Sequence, residues 1–368
     1  MRIVTVLTSL GIGGAERQAL AVAGRLAGRG HQVTLLVLMP PLPDQWPTSL
    51  PVVHLGMSRN PARLLAGFWR GLVFLRRFRP QVVHSHSFHA NLLARLLAGW
   101  RRRMVVISTV HNVYEGGRMR MLAYRLTDGF SRRTVAVSAA AAERFVRLRA
   151  VSANKCLVRA NGIDLAEFLP NAERRASLRG TMDAAGSFVW LSAGRITAAK
   201  DYPNLVAALE KLAEQRPDAA LWIAGEGTAQ NREALENDCF FCKVQNRVRL
   251  LGLRRDMPAL LDAADGFVLA SAWEGMPLVV GEAMAMEKPV VATDVGGVRE
   301  LLGEHGLPVL AKQPVALAEA LLAVMQESAE ERSERGRAAR QRIAKQFNID
   351  AVAEWWEKLY RELAGTGD

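Results

Sequence analysis

Short β-branched or apolar runs alternate with longer helical patterns through most of this chain, and the alternation comes in two series. RIVTVLTS, HQVTLLVL, QVVHSH, MVVISTV and TVAVSA form the first; FVWLSAG, AALWIAG, RVRLLG, GFVLAS and PVVATDV form the second. Strands joined through helices pair in parallel, so each series predicts a parallel sheet covered by helices. The expected fold class is therefore α/β, with two Rossmann-like, doubly wound domains facing each other across a cleft. At 368 residues, half of them hydrophobic, the chain can give each domain a core of its own. The division expected is a first domain over 1–164, a second over 165–345 and a closing helix over 346–368 that packs back toward the first. KCLVRANGIDLAEFLP (155–170) separates the two series, and its turn-rich NGID is the expected hinge. A ligand of such a chain belongs at the carboxyl ends of the strands.

Several distinctive residues fall at those ends. TSLGIGGAERQAL (8–20) runs a glycine-rich loop into a helix, and the free N–H groups there can hold a phosphate or admit a sugar closely, with Gly13 and Gly14 at the junction. It is a poor dinucleotide fingerprint. Glu16 replaces the third glycine, and the next strand's end, VLMPP, lacks the acidic residue that binds a ribose, which disfavours a nicotinamide-dependent dehydrogenase. SAGRITAAKDYPN (192–204) carries Arg195 and then Lys200 ahead of a helix. A guanidinium fork and a mobile ammonium suit a pyrophosphate whose negative charge grows as it departs. In EGMPLVVGE (274–282), Pro277 predicts the first residue of a helix, and the amides around Gly275, Met276 and Leu278 face a phosphate. Glu274 precedes that helix and Glu282 lies about one and a half turns inside it, so both carboxylates can accept hydrogen bonds from hydroxyls of one bound molecule.

Composition narrows the alternatives. The net charge of +12 is uneven: residues 1–165 hold 24 Lys and Arg against 6 Asp and Glu, while the rest holds 24 against 30. The excess sits in RNPARLLAGFWRGLVFLRRFRP (59–80), RRR (101–103) and RRTVAVSAAAAERFVRLR (132–149), and it calls for an anionic partner on one side. Arg63, Arg70 and Arg77 recur every seven residues and line one helical stripe, with Leu65, Phe68, Trp69, Leu72 and Leu75 largely elsewhere. Each such arginine contributes about 1 kcal/mol near an anionic bilayer, enough for reversible docking. Nucleic acid is disfavoured by the absence of zinc-finger spacing, an aromatic RNA-binding strand or a helix-turn-helix. No uncharged apolar stretch is long enough to span a membrane, and the N-terminus has no secretory signature. Three cysteines suit a reducing compartment, and CFFC (239–242) without a second pair reads as a helix end. The expected location is cytoplasmic, with peripheral attachment at the inner face of the membrane. His84, His86 and His89 in HSHSFH could in principle hold zinc, but no metal is expected.

Taken together, GIGGAE, VVHSHS, STVHN, NGID, AGRITAAKD, IAGEG, VRLLG, EGMPLVVGEAMA and KPVVATDVGGVRELL resemble the retaining glycosyltransferases of family GT4, which have the two-domain GT-B architecture. The resemblance implies that Arg195 and Lys200 bind the donor diphosphate, Glu282 the ribose hydroxyls and Glu274 the transferred sugar. Gly275, Met276, Leu278 and the neighbourhood of Pro277 would surround the phosphate and sugar, and the backbone of Leu253 would meet the nucleobase. His111 would approach the sugar and leaving phosphate, Gly13 and Gly14 would let diphosphate and acceptor come close, and His86 would line the acceptor side. GMP after the first glutamate departs from the aromatic and glycine of many relatives, which bears on the sugar. The implied reaction moves a hexose-type sugar from a nucleotide diphosphate, UDP rather than GDP, to a hydroxyl of a glycan or polyprenyl-diphosphate-linked acceptor in cell-surface polysaccharide synthesis. It needs no metal and no cofactor, the leaving phosphate helping to deprotonate the acceptor on the same face. A nucleotide-sugar 2-epimerase of the same layout and a nucleic-acid-binding protein are the alternatives.

Overall fold

The computed structural model describes residues 1–99 and 104–365, so the arginine run at 101–103 lies outside the described residues. The chain forms two compact units, one from residues 1–162 with the segment beginning at Ile349, the other from Ile163–Asn348.

The first unit contains β1 (Arg2–Leu7), α1 (Gly14–Gly28), β2 (Gln32–Val37), β3 (Val52–His54), α2 (Pro61–Phe78), β4 (Val82–His86), α3 (Phe88–Gly99), β5 (Val105–Val110), α4 (Arg118–Thr127), β6 (Arg133–Ala136), α5 (Ala139–Arg147) and β7 (Cys156–Val158). Its sheet is parallel throughout, in the order β3-β2-β1-β4-β5-β6-β7. The second contains α6 (Ala172–Thr181), β8 (Phe188–Ala193), α7 (Tyr202–Gln215), β9 (Ala219–Ala224), α8 (Ala229–Phe241), β10 (Val248–Gly252), α9 (Met257–Ala263), β11 (Gly266–Leu269), α10 (Leu278–Ala285), β12 (Val290–Thr293), α11 (Val298–Leu302), β13 (Leu307–Val309), α12 (Pro314–Gln326) and α13 (Ala329–Gln346). Its parallel order is β10-β9-β8-β11-β12-β13. The last helix, α14 (Ile349–Ala364), belongs to the first unit.

Helices cover both faces of each sheet, which is why the strands read as unbroken apolar runs: every residue of β8 is buried, as are five of six in β1 and in β2. Helix starts follow local chemistry. Asn60 Oδ1 accepts from the Ala62 N–H at 2.9 Å with Pro61 in the first turn of α2, and Ser328 and Glu331 form a reciprocal capping box on α13. The amphipathic α14 buries Val352, Trp356, Leu359 and Tyr360 and holds its outer edge to α1 and the loop after it through Arg25–Asp350, Arg29–Glu357 and His31–Glu357.

Some sequence expectations change in detail. β3, β7 and β13 have three residues each and went unread because such a length shows too little alternation; β7 occupies the start of the segment read as hinge. α10 begins at Leu278, with Pro277 as its extended N-cap rather than its first residue. On α2, only Leu72 and Leu75 of the apolar set are buried, alongside Gly67 and Gly71, whose lack of side chains brings the helix close to its neighbours. Leu65 and Trp69, which lie off the arginine stripe, are 73% and 56% exposed, and Leu64 is exposed as well. Cys239 is buried near the end of α8 and Cys242 caps it, both as free thiols.

Candidate functional site

In the second sheet the strand order reverses between β8 and β11, and in sheets of this kind ligands bind beyond the carboxyl ends of the strands at such a reversal. β8 runs out into Gly194 and Arg195. Gly194 has φ 152°, and the Lys200 side chain crosses it so closely that a β-carbon there would overlap the lysine's Cδ and Cε. That crossing carries Lys200 Nζ to Glu274 Oε1 at 2.6 Å, and Ser271 Oγ donates to the same oxygen at 2.7 Å. The lysine and glutamate side chains are 18% and 12% exposed, so the pair is only slightly screened. Tyr202, the first residue of α7, donates from its hydroxyl to the Gly194 carbonyl at 2.9 Å and fixes the loop. Arg195 is exposed and makes no ion pair among the described residues. Beyond β11, Gly275, Met276, Pro277 and Leu278 are buried, and Glu282, on α10, is 3% exposed. Leu253 follows the end of β10 and is half-buried.

The corresponding reversal in the first sheet lies between β1 and β4. Gly13 is the N-cap of α1 and Gly14 its first residue; no side chain caps this helix. His86 closes β4, opposite Thr109 in the register with β5, and His111 stands just past β5. Nδ1 of His86 and Nε2 of His111 lie 3.0 Å apart. His84, two residues back on the same strand face, packs at a tilt against His86 with centroids 4.0 Å apart and against Trp356 at 4.3 Å. Its Nε2 meets Thr109 Oγ1 at 2.7 Å and its Nδ1 the Tyr360 hydroxyl at 2.5 Å. His89 is exposed, against the Phe88 ring. Among the described residues no group of three or more His, Cys, Asp or Glu is arranged to hold a metal ion.

Burial keeps these imidazoles neutral. It lowers His84 to about 3, with His111 adding to the effect, and His111 to about 4; His86 is lowered well below the usual range by burial and by both neighbours. Sequence reading missed Glu115, whose Oε1 accepts the His111 backbone N–H at 3.0 Å while Oε2 accepts from the Tyr124 hydroxyl at 2.6 Å. Burial raises its carboxyl to about 7, against the pull of those two hydrogen bonds. Asn91 reaches Tyr124, and fully buried Arg95 lies under the Tyr124 ring at 5.0 Å. The one signal in sequence was HNVYE itself, a carboxylate four residues past the histidine; nothing foretold Tyr360.

Two doubly wound parallel sheets in one chain, each with its polar strand-end residues at the reversal of strand order, define the GT-B class of glycosyltransferase folds. Residues 12–167 match the family profile described as Glycosyltransferase Family 4, and residues 187–327 that described as Glycosyl transferases group 1. The chain belongs to glycosyltransferase family 4. It is 29% identical over 234 residues to the UDP-Gal:alpha-D-GlcNAc-diphosphoundecaprenol alpha-1,3-galactosyltransferase of Escherichia coli, covering 61% of this chain and 60% of that protein. To the glycogen synthase of Mycobacterium tuberculosis it is 29% identical over 299 residues, 77% of this chain and 69% of that one. Anabaena Alr3699/HepE, solved with UDP-glucose, has the same fold at TM-score 0.87 and 19% identity, covering 98% of this chain and all of the other.

Proposed function

We propose that this protein transfers a hexose-type sugar from UDP to a hydroxyl of a glycan or polyprenyl-diphosphate-linked acceptor, with retention at the anomeric carbon. The observation that carries this reading is the Lys200–Glu274 pair at 2.6 Å: a cation for the diphosphate and a carboxylate for the sugar's alcohols, held together where the second sheet's strand order reverses. Arg195 joins Lys200 in neutralising the leaving diphosphate, and amides at the start of α10 add their dipoles. Glu282 takes the ribose hydroxyls and Leu253 the base. In the first unit, His111 meets the sugar and phosphate, Gly13 and Gly14 keep the approach open, and the departing phosphate collects the acceptor's proton. The reading requires no metal ion. The family resemblance and the E. coli relative's lipid-linked substrate support the acceptor class.

The test is transfer from UDP-sugars by the purified protein. Arg195→Ala and Glu274→Ala should each lower kcat by about 100-fold or more while the protein stays folded, and EDTA should leave the rate unchanged. A donor at 100 times its dissociation constant should stabilise the protein by about 2.7 kcal/mol, UDP-sugars before GDP-sugars. Full activity in either variant removes that residue from the site. On the first unit, exposed Arg63, Arg70 and Arg77 line one stripe of α2 and exposed Leu65 and Trp69 another beside it, and this exposed side of the helix docks on anionic lipid to reach a membrane-borne acceptor.

A further inference from the structure

His86 was expected to line the acceptor side, yet it is only 4% exposed. Its ring meets His84 at a tilt, with centroids 4.0 Å apart, and His84 is itself against Trp356 and hydrogen-bonded at both nitrogens, with Tyr360 and Thr109. The polar edge that remains in use is Nδ1, 3.0 Å from His111 Nε2. A proton must lie between those nitrogens for that contact to be a hydrogen bond, and each neutral ring carries only one. If His86 holds it on Nδ1, His111 accepts at Nε2 and keeps its own proton on Nδ1. If His111 holds it on Nε2, then its Nδ1 is a bare lone pair. His111 Nδ1 has no hydrogen bond among the described residues, and it is the nitrogen left for a ligand. Glu115, by taking the His111 backbone N–H, fixes the residue from its other side.

We infer that His86 is a positioning residue for His111: it donates its Nδ1–H to His111 Nε2, so that His111 presents a fixed, neutral Nδ1–H to the substrate. The direction of donation rests on the proposed function, since phosphate oxygens only accept and the group facing them must donate. His84, with Tyr360 and Trp356 behind it, holds the His86 ring in register, which makes α14 part of that ring's support through His84.

The experiment is 15N NMR of the full-length protein labelled at histidine, with His111 assigned by its loss in His111→Asn, read beside UDP-glucose turnover. The wild type should show His111 as the single Nδ1–H tautomer. His86→Leu should shift it to the Nε2–H form favoured by free histidine and lower kcat about tenfold, with KM for UDP-glucose within about twofold. His86→Asn, whose amide N–H can stand in for Nδ1–H, should restore both. A wild-type His111 protonated at Nε2, or a tautomer unmoved in His86→Leu, overturns the assignment. If His86→Leu does not fold, the wild-type and His86→Asn spectra decide alone. Absence of any sugar chemistry on UDP-glucose would count against the proposed function, whereas the tautomer is read whether or not turnover occurs.

Discussion

Three neutral histidines packed ring to ring make this protein sensitive to acid in a defined way. His84 and His111 titrate at about 3 and about 4 in the fold, against 6.5 in an unfolded chain, so below pH 6.5 the unfolded chain takes up protons that the fold refuses. Stability is therefore complete above pH 6.5 and falls as the pH drops toward 4; the fully buried His84 alone accounts for about 2 kcal/mol by pH 5. Glu115 acts oppositely. With its carboxyl raised to about 7 from 4.5, the fold keeps a proton that the unfolded chain gives up, and stability from this group rises as the pH falls from 7 to 4.5. Melting temperatures taken from pH 7.5 to 4.5 should decline, and more steeply in Glu115→Gln, where the opposing group is gone; a parallel decline in the two proteins would contradict the assignment. At this level the second unit's residues were legible, because Arg195, Lys200 and Glu274 sit in loops where a charged side chain stands out against apolar strands. The support around His111 was not, since Glu115 and Tyr124 meet through a turn, and Tyr360 arrives from 276 positions away.

Among the elements, the β8–β11 pairing and α14 each hang on a few contacts. Gly266 opens β11 opposite Trp190 in the register, and a β-carbon there would stand 2.5 Å from the buried indole. Gly266→Ala should cost about 1–3 kcal/mol by urea unfolding, from overpacking at the strand pair where the order reverses. Glu357 is the fastening of α14. Burial raises its pKa, but hydrogen bonds from Arg361, His31 and Arg29 outweigh that and bring it down to about 2. Its contribution is present above pH 4.5 and lost as the pH falls toward 2, so Glu357→Gln should destabilise by about 1–3 kcal/mol at pH 7 and by less at pH 3. Long strands and amphipathic helices were readable from periodicity. The three-residue strands were not, being edge strands placed by their neighbours' hydrogen bonds rather than by their own pattern, and the outward turn of Leu65 and Trp69 on α2 depends on Gly67 and Gly71 facing the core.

Across the whole molecule, the chain's positive charge lies in its first half, and α2 carries part of it next to exposed leucines and a tryptophan. No described helix is long and apolar enough to cross a bilayer, so the lipid docking proposed for this face would be by adsorption. Sedimentation with vesicles should show binding to anionic but not to neutral lipid, weakened about thirtyfold or more in Arg63→Ser/Arg70→Ser/Trp69→Ser; equal sedimentation with both lipids would reject it. The two series of strands announced two parallel sheets from sequence alone, and the reversal of strand order marks the end of each sheet where the proposed ligand contacts fall. The sequence led to a closing helix packing back toward the first domain, but not to what that helix brings with it. The chain rejoins its first unit at Ile349, and the sixteen residues of α14 supply the tryptophan and tyrosine that steady His84. During synthesis, the first unit must wait on the ribosome for a helix encoded nearly two hundred codons after its last strand, while the second can be finished before it. A chain cut just ahead of α14 would thus carry every residue of the second unit and yet lack the tryptophan and tyrosine that meet His84 in the first.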